Sequence, residues 1–316
     1  CAKTVVEVTL RGALPLDKYK SDAKEAVKTF IIAENDKAKF EKAQEGFERG
    51  LLIGDTVNYA RELINAPAEL VTPEYLANIA SDLDLDEVKT YEKKDIINMQ
   101  MGAFMAVSQG SVNGPRFIHM EYIPKKPKKK IVLIGKGITF DAGGLNLKPA
   151  TSMMTMKDDM SGAAAVLSIM RNIRKFKPNA EIHALIAACE NMPSGSAYKQ
   201  GDIVTAMNGK TIEIDNTDAE GRLTLADALC YAQQLNPDVI IDIATLTGAV
   251  SVALGGVSSA ILGNNEELIQ KLIKCGTQGG ERLWEMPMFP EYFENLKSDI
   301  ADMRNSGTRG GGTSAA

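Results

Sequence analysis

Four mostly apolar runs separated by helical segments constrain the fold of this chain more than any other feature. The runs occupy residues 116–123, 130–134, 181–188 and 238–246. Short apolar runs of this kind are typical of strands inside a parallel sheet, and their alternation with helices beyond Pro67 favours helices on both faces of that sheet. We therefore predict an α/β fold, a three-layer sandwich with a largely parallel central sheet.

The N-terminal part of the chain follows a different pattern. Residues 4–10 and 30–33 have the composition of strands, and we interpret them as the remnant of a smaller N-terminal α/β domain. A polar amphipathic helix from about residue 36 to residue 64 links this remnant to the remainder of the chain. The predicted domain organisation is the remnant at 1–40, the linking helix at 41–66 and the main domain at 67–316.

Charged residues alternate in the heptapeptide Asn216 to Arg222, which lies between a predicted strand and a predicted helix. In an extended segment, Asp218, Glu220 and Arg222 project to one side. Burying two carboxylates is costly without a cation, and one arginine cannot neutralise both, which indicates a metal ion. The alternative is a capping box formed by Thr217 and Glu220 at the start of the helix, with Asp218 adding favourable charge.

A glycine-rich stretch, residues 135–144, follows the apolar run 131–134 and is predicted to lie at the carboxyl end of a strand. Ligands of open α/β sheets bind at that edge. Two phosphate-binding motifs are excluded, because Gly137 follows Lys136 where a P-loop needs Ser or Thr, and Phe140 replaces a glycine of the dinucleotide fingerprint. Lys136 lies between two glycines that allow close approach of the backbone.

Further charged residues follow in the same segment. Taken alone, Lys148 fits a solvated surface lysine, and Asp159 fits the N-cap of a helix over residues 160–176. Considered together, four carboxylates can carry four negative charges, which two divalent cations would balance; they belong to Asp141, Asp159, Asp218 and Glu220. Oxygen-rich ligation suits Mn²⁺, Mg²⁺ or Zn²⁺, and Lys136 can join only as a neutral amine. The pattern predicts a two-metal hydrolase.

These motifs, with the segment Met156-Lys157-Asp158-Asp159-Met160, resemble the leucyl aminopeptidase (cytosol aminopeptidase) family of dinuclear metallopeptidases. The resemblance implies one loosely bound metal held by Lys136, Asp141, Asp159 and Glu220. It implies a tighter metal held by Asp141, Asp218 and Glu220. Lys148 would polarise the scissile carbonyl, and Arg222 would anchor a bicarbonate acting as general base. The residues expected to line the substrate cleft are Met156, Asn216, Thr245, Leu246 and Gly248.

By this resemblance the chain is expected to be a hexameric aminopeptidase that removes an apolar, leucine-like N-terminal residue from peptides. The nucleophile would be a water bridging two Mn²⁺ or Zn²⁺ ions, and the free α-amine of the peptide would bind one metal. Two alternatives stay open: a DNA-binding or structural hexamer with incidental peptidase activity, and a two-metal phosphoesterase. Ala142 replaces the usual Ser or Thr of relatives, so we expect altered metal affinity rather than lost activity.

The two histidines, His119 and His183, lie outside these motifs in strand-like runs, and we expect them in core or interface packing. This disfavours a serine or cysteine peptidase and a histidine-ligated zinc peptidase. A net charge of −5 gives no electrostatic case for nucleic acid as the main partner, and the basic run 125–130 is interpreted as an exposed loop.

Four scattered cysteines favour a reducing compartment, and without a predicted membrane span or signal peptide we expect a cytoplasmic protein.

The ends of the sequence differ from those of the family. Cys1 is not an initiator methionine, and the chain stops in the glycine-rich segment 309–316, where relatives continue with a helix, a strand and a loop that complete the side-chain pocket. We therefore expect a C-terminally incomplete catalytic domain.

Overall fold

The computed structural model describes residues 2–23, 27 and 29–307 of the chain. Within them ten strands are defined. In chain order they are β1 (Glu87–Tyr91), β2 (Arg116–Tyr122), β3 (Lys130–Asp141), β4 (Glu181–Asn191), β5 (Ile203–Thr205), β6 (Thr211–Glu213), β7 (Val239–Ile243), β8 (Ser259–Ile261), β9 (Leu283–Glu285) and β10 (Met303–Arg304). Five of them form the central sheet in the order β1–β2–β4–β3–β7. Strand β3 is parallel to both β4 and β7, whereas β2 is antiparallel to its neighbours β1 and β4.

Ten α-helices and two 3-10 segments, Met156–Asp158 and Pro290–Leu296, complete the described part. The helices are α1 (Ala2–Ala13), α2 (Lys37–Asn65), α3 (Pro73–Ser81), α4 (Lys93–Asn98), α5 (Gly102–Ser108), α6 (Ala150–Met153), α7 (Ser161–Phe176), α8 (Gly221–Gln234), α9 (Gly248–Leu254) and α10 (Glu266–Gly279). None of the helices within the described ranges is long and apolar enough to cross a membrane.

An apolar core lies on each face of the central sheet, because side chains of successive strand residues point to opposite faces. On one face, Ile118 and Met120 of β2 pack with helices α2, α3 and α7. On the other face, Phe117 of β2 and Ile134 of β3 pack with α5 and α8. Burial of both sheet faces is the arrangement of a three-layer α/β sandwich. The predicted fold class is therefore confirmed.

The predicted N-terminal strands are wrong. Residues 4–10 lie within helix α1, which packs along α2 with Val6 buried. A Cβ atom at Gly50 of α2 would lie 2.7 Å from the Lys3 carbonyl oxygen, so only glycine permits this close helix contact. The β-branched residues of the segment indicated a strand, but burial against a neighbouring helix outweighs that weak preference. Residues 30–33 also lie outside any strand, and the described residues before α2 offer no strand to pair with.

The predicted helix and the four strands are confirmed, but β7 is a partly exposed edge strand that ends at Ile243, and β3 differs in extent. Helix α2 spans Lys37–Asn65, as predicted to within one residue at each end. Strand β3 does not end at the glycine-rich stretch but runs through both glycines to Asp141, where it pairs with Asn191 of β4. Backbone hydrogen bonds to β4 sustain the strand there, since strand pairing does not need side chains. Lys136 and Asp141 therefore lie on the strand itself, near the edge of the sheet at which β3 ends.

Candidate active site

The ammonium of Lys136 on β3 is almost fully buried, since its side chain is 3% exposed. Its Nζ lies 2.7 Å from Asp159 Oδ1 and 2.8 Å from Glu220 Oε1, and it donates to the carbonyl oxygen of Thr245 at 2.9 Å. Asp159 lies two residues before α7, and Glu220 directly precedes α8. The starts of two helices on opposite faces of the sheet therefore bring two carboxylates onto one buried lysine.

A second lysine joins the cluster nearer to the surface. Lys148 Nζ lies 2.8 Å from Asp141 Oδ2 and 2.5 Å from Asp218 Oδ1. The other oxygen of Asp141 accepts hydrogen bonds from the Gly143 amide at 2.9 Å and from Asn191 Nδ2 at 2.8 Å. Asp218 is about one-third exposed, so the site opens to solvent on this side. Lys148 is thus not a solvated surface lysine. We call the six residues Lys136, Asp141, Lys148, Asp159, Asp218 and Glu220 the acid–lysine cluster.

The segment carrying Asp218 and Glu220 is a turn rather than an extended strand, closed by the hydrogen bond from Ala219 N to Asn216 O at 3.1 Å. The capping-box alternative is also wrong, because Glu220 is the helix N-cap and makes no side-chain capping bond. Thr217 instead donates from Oγ1 to the Gly143 carbonyl at 2.7 Å and accepts from the Asn146 amide at 2.8 Å. The turn is thereby tied to the loop after β3.

Asp159 does not cap its helix either, since the N-cap of α7 is Met160. Its Oδ1 accepts from the hydroxyl of Thr245 at 2.8 Å as well as from Lys136, whereas its buried Oδ2 has no hydrogen-bond partner within the described part of the chain. Gly221 completes the close packing around the lysine, because a Cβ atom there would lie 2.5 Å from Lys136 Cε. The first residue of α8 therefore has to be very small.

Burial sets the electrostatics of this cluster. It raises the pKa of Asp159 well above its usual range, and the neighbouring carboxylates of Glu220 and Asp141 add to that rise against the opposing effect of Lys136. Burial likewise raises the pKa of Glu220. For Lys136, burial lowers the pKa, but the charges of Glu220 and Asp159 outweigh it and hold the pKa above its ordinary value. With four carboxylates and two ammonium groups, the site has more acid than its own cations can balance.

The donor set fits divalent metal ions. Oxygens of Asp141, Asp218 and Glu220 all lie within 4.8 Å of one another, a separation that one or two ions can bridge. The unpartnered Oδ2 of Asp159 supplies a further free acceptor. Carboxylate ligation without histidine suits hard or borderline ions such as Mn²⁺, Mg²⁺ and Zn²⁺.

Arg222, on the first turn of α8, is largely buried. Its Nε has no hydrogen-bond partner among the residues that the structure describes. Burial lowers the pKa of its guanidinium, and the nearby Glu220 opposes that effect. A buried guanidinium with a free N–H group is suited to bind an anion.

The residues predicted to line a substrate cleft differ in how close they lie to the acid–lysine cluster. Thr245 contacts the cluster directly through its hydroxyl and its carbonyl, as described above. Asn216 accepts from the amide of Asp218 at 2.9 Å and so shapes the turn. Leu246 packs against the apolar core beside α8, and Gly248 is the exposed first residue of α9. Met156 lies partly buried in the 3-10 segment before Asp159.

Sequence reasoning missed the amide side chains that hold the acids in place. Asn191, fully buried at the end of β4, donates to Asp141 and to the Thr217 carbonyl at 2.9 Å. Asn305, also buried, accepts from the amide of Asp215 at 2.8 Å and donates to the Asn216 carbonyl at 2.6 Å. Asn191 had a usable signal, because like Asp141 it is a polar residue a short way after a predicted buried strand. Asn305 lies too far along the chain to be paired by pattern.

The comparison with known families agrees with this geometry. The profile described as "Cytosol aminopeptidase family, catalytic domain" matches residues 58–316, which include every residue of the acid–lysine cluster. This chain belongs to the cytosol aminopeptidase family. The family consists of exopeptidase hydrolases, so the predicted resemblance is confirmed.

Curated relatives in the cytosol aminopeptidase family cover nearly all of the chain. It is 49% identical to the probable cytosol aminopeptidase of Persephonella marina over 311 residues, which is 97% of this chain and 62% of the relative. The corresponding protein of Aquifex aeolicus is 47% identical over 99% of this chain and 64% of its own length. The one from Nostoc punctiforme is 51% identical over 82% of this chain and 54% of its own length. The chain thus spans about three-fifths of the curated relatives it matches.

Proposed function

We propose that the acid–lysine cluster is the catalytic centre of a metal-dependent aminopeptidase that removes N-terminal residues from peptides. One observation carries this proposal: four carboxylates from three separate segments meet around two lysines at the sheet edge, with more acid than the lysines can neutralise. Assembling such a cluster is costly unless cations bind there. Membership of the cytosol aminopeptidase family supports the reaction class.

Two divalent ions, Mn²⁺ or Zn²⁺, would be held by Asp141, Asp159, Asp218 and Glu220. When bound, they supply an acidified water and a polarised carbonyl, which are the two requirements of peptide hydrolysis. Lys136 would become a ligand only as a neutral amine; with three acceptors around its Nζ, it is an ammonium before metal binding. In the metal-free protein, the Lys136 ammonium therefore neutralises Asp159 and Glu220, a role that bound cations would replace.

Lys148 and Arg222 would supply the positive charge that the reaction needs. Lys148 is mostly buried at the open side of the cluster, where its ammonium can stabilise the oxyanion that forms when water attacks the carbonyl. Arg222 would hold bicarbonate as a general base, and its unpartnered Nε supports this role. When bound there, bicarbonate would supply a general base beside the metal ligands.

We propose peptides with a free α-amine and an apolar first residue as substrates. The apolar side chains of Met156 and Leu246, both partly buried on segments that flank the cluster, support this preference. The hexamer remains a prediction of the resemblance, and the cytoplasmic location remains a prediction from the cysteines and the lack of a predicted membrane span or signal peptide. Neither alternative, a DNA-binding hexamer or a phosphoesterase, is favoured by a described contact.

The decisive experiment follows hydrolysis of leucyl-p-nitroanilide by the metal-stripped protein after Mn²⁺ or Zn²⁺ is added back. We expect turnover only with metal, and at least a hundredfold less with the N-acetylated substrate, which has no free amine. Equal cleavage of both substrates would contradict an aminopeptidase. Absence of turnover with two metals bound per chain would contradict the catalytic assignment.

The alternatives are tested in parallel on the same preparation. Bis-p-nitrophenyl phosphate replaces the peptide substrate, and a mobility-shift assay at near-physiological salt uses double-stranded DNA. We expect neither phosphate hydrolysis nor a defined DNA complex. A phosphodiesterase rate that exceeds the peptidase rate, or a specific complex, would reassign the site or the main role of the protein.

A further inference from the structure

A second cluster of titratable side chains lies at the other end of the central sheet, on β2 and β4. His119 and Glu121 belong to β2, and His183 belongs to the neighbouring β4, where it pairs directly with Glu121. The three side chains face helix α8, on the same side of the sheet as Lys136, but near the C-terminal half of that helix, where Tyr231 contacts His119. Both histidines are buried, as predicted, and we call this group the histidine cluster.

The ligand atoms of the histidine cluster converge on one point. His119 Nε2 lies 2.8 Å from His183 Nδ1, and Glu121 Oε1 lies 3.4 Å from the former and 3.9 Å from the latter. Ligands about 2.0–2.1 Å from a tetrahedral zinc ion are separated from one another by roughly 3.3 Å. The three observed separations bracket that value, so a small shift of the imidazoles would admit an ion.

The opposite ring nitrogens already have the partners that metal-binding histidines use. His183 Nε2 lies 2.7 Å from Glu181 Oε1, and His119 Nδ1 lies 3.2 Å from the Tyr231 hydroxyl. The carboxylate of Glu181 can only accept, so the His183 hydrogen is on Nε2 and Nδ1 keeps its lone pair. A carboxylate or hydroxyl behind each ligand imidazole fixes its tautomer and orientation.

We propose that His119, Glu121 and His183 form a further metal site, specific for a borderline divalent ion such as Zn²⁺ and separate from the acid–lysine cluster. Two imidazoles and one carboxylate leave the fourth tetrahedral position to water. Without metal, His119 donates from Nε2 to His183. With metal, its hydrogen moves from Nε2 to Nδ1 and is donated to Tyr231, whose hydroxyl can accept it, and no proton is released.

The charges around the histidine cluster are compatible with this site. Burial, together with His183 and Lys89, lowers the pKa of His119 to about 4, so its imidazole is a neutral potential ligand at neutral pH. Glu121 is 12% exposed, which gives an ion a route from solvent. Lys89 Nζ is 3.9 Å from Glu121 and would compete for it, while Lys130 pairs with Glu181 at 3.0 Å. Glu87, the direct partner of Glu121 on β1, holds Lys89 at 2.6 Å and so competes with Glu121 for it.

The chain offers a clean spectroscopic test, because it contains only two histidines and neither belongs to the acid–lysine cluster. Zn²⁺ is titrated into the metal-stripped protein, and the zinc X-ray absorption edge is inspected for the outer-shell scattering of imidazole. We expect that signature, with two imidazoles on one zinc per chain. If bound zinc shows only oxygen ligands at every Zn²⁺ concentration up to about 100 µM, the proposal is wrong.

Matched variants locate the site independently of activity. Glu121→Gln removes the carboxylate ligand without touching either histidine, and it should weaken the imidazole-bound zinc at least tenfold in competition with a chromogenic chelator. Glu74→Gln changes a carboxylate that pairs with Arg116 at the other end of β2 and is not a ligand, and it should alter zinc affinity less than twofold. Equal affinities in the two variants would contradict the role of Glu121 and thus the three-ligand site. Folding of each variant is checked by circular dichroism.

Discussion

The two polar clusters of this protein lie on the same face of the central sheet, at opposite ends of the sheet and of helix α8. They differ in the kind of groups that they bury. The acid–lysine cluster buries four carboxylates around two lysines. The histidine cluster buries neutral rings in a hydrogen-bonded chain that ends on Glu181 and Tyr231. The first arrangement demands cations, because its acid is in excess; the second is satisfied without metal and can still bind one.

The source of each cluster explains this difference. Three of the carboxylates lie where a strand ends or a helix begins, so the backbone is free to turn and no regular pattern determines its neighbours. The histidines and Glu121 lie in mid-strand positions, where the pairing of β2 with β4 fixes which side chains meet. Loops at the strand ends allow a strained charge arrangement, whereas paired strands favour neutral, well-partnered groups.

The largest expected effect comes from removing one acid of the first cluster. Glu220→Gln keeps the side-chain shape but removes a metal ligand and one partner of Lys136, so kcat/KM for leucyl-p-nitroanilide should fall by at least about 10³-fold, or about 4 kcal/mol of transition-state stabilisation. Glu190→Gln is the matched control, since Glu190 is a buried carboxylate at the same sheet edge that accepts instead from Asn113 at 3.0 Å. Its activity should stay within fivefold of wild type; similar losses in both would contradict the assignment.

A carboxylate between the clusters sharpens the comparison, because it is buried without any cation. Asp227 of α8 accepts from the amides of Phe104 at 2.8 Å and Met207 at 2.7 Å, and burial still raises its pKa from 3.8 to about 6. The folded state therefore binds more protons than the unfolded state between these values. Stability from this group is complete below pH 3.8, is lost as pH rises towards 6, and changes by about 3 kcal/mol in total.

The measurement compares urea unfolding of wild type and Asp227→Asn in chelator between pH 3.5 and 7.5. As pH rises to 6, the unfolding free energy of wild type should fall relative to that of Asp227→Asn. Above pH 6 the difference between the two should stay constant. A difference that is flat across this range would show that amide donors alone keep the pKa of Asp227 at its ordinary value.

The sequence was sufficient where a regular pattern or a local motif carried the information. Strands β2, β3, β4 and β7 were predicted from apolar runs. Burial on both faces explains that mark in β2, β3 and β4, whereas β7 is an edge strand and only partly buried. All six residues of the acid–lysine cluster were singled out, and the structure brings them together. The roles assigned to them remain predictions that the proposed experiments test.

What could not be predicted depended on contacts distant in sequence. The β-branched residues of α1 gave no warning that Gly50, more than forty residues away, would accept a helix in close contact. The capping-box interpretation failed because Thr217 bonds to Gly143 and Asn146 across the fold. The two histidines were correctly expected to be buried, but no local pattern showed that strand pairing would place them 2.8 Å apart.

A smaller effect on activity is expected from the amide that orients Asp141. Asn191→Ala removes its hydrogen bonds to Asp141 and to the Thr217 carbonyl, and should lower kcat/KM about 10- to 100-fold, the usual cost of losing a partner of a metal ligand. Asn172→Ala is the matched control, because Asn172 is an equally buried amide on α7 that bonds to Asp55 and Thr56. The Asn172→Ala control should lose a comparable amount of thermal stability but keep its activity. Equal activity losses in the two variants would show that Asn191 has only a structural role.

The smallest effect separates the clusters through one hydroxyl in each. Tyr231→Phe removes the group beside His119 Nδ1, and Tyr198→Phe removes the hydroxyl that donates to the Thr217 carbonyl at 2.7 Å. Each should lower the unfolding free energy by about 1 kcal/mol, the net value of one buried hydrogen bond. Only Tyr198→Phe should also reduce kcat, by severalfold, because Thr217 belongs to the turn that carries Asp218 and Glu220. Urea unfolding and leucyl-p-nitroanilide kinetics on both variants measure this, and a loss of kcat in Tyr231→Phe would show that α8 couples the two clusters.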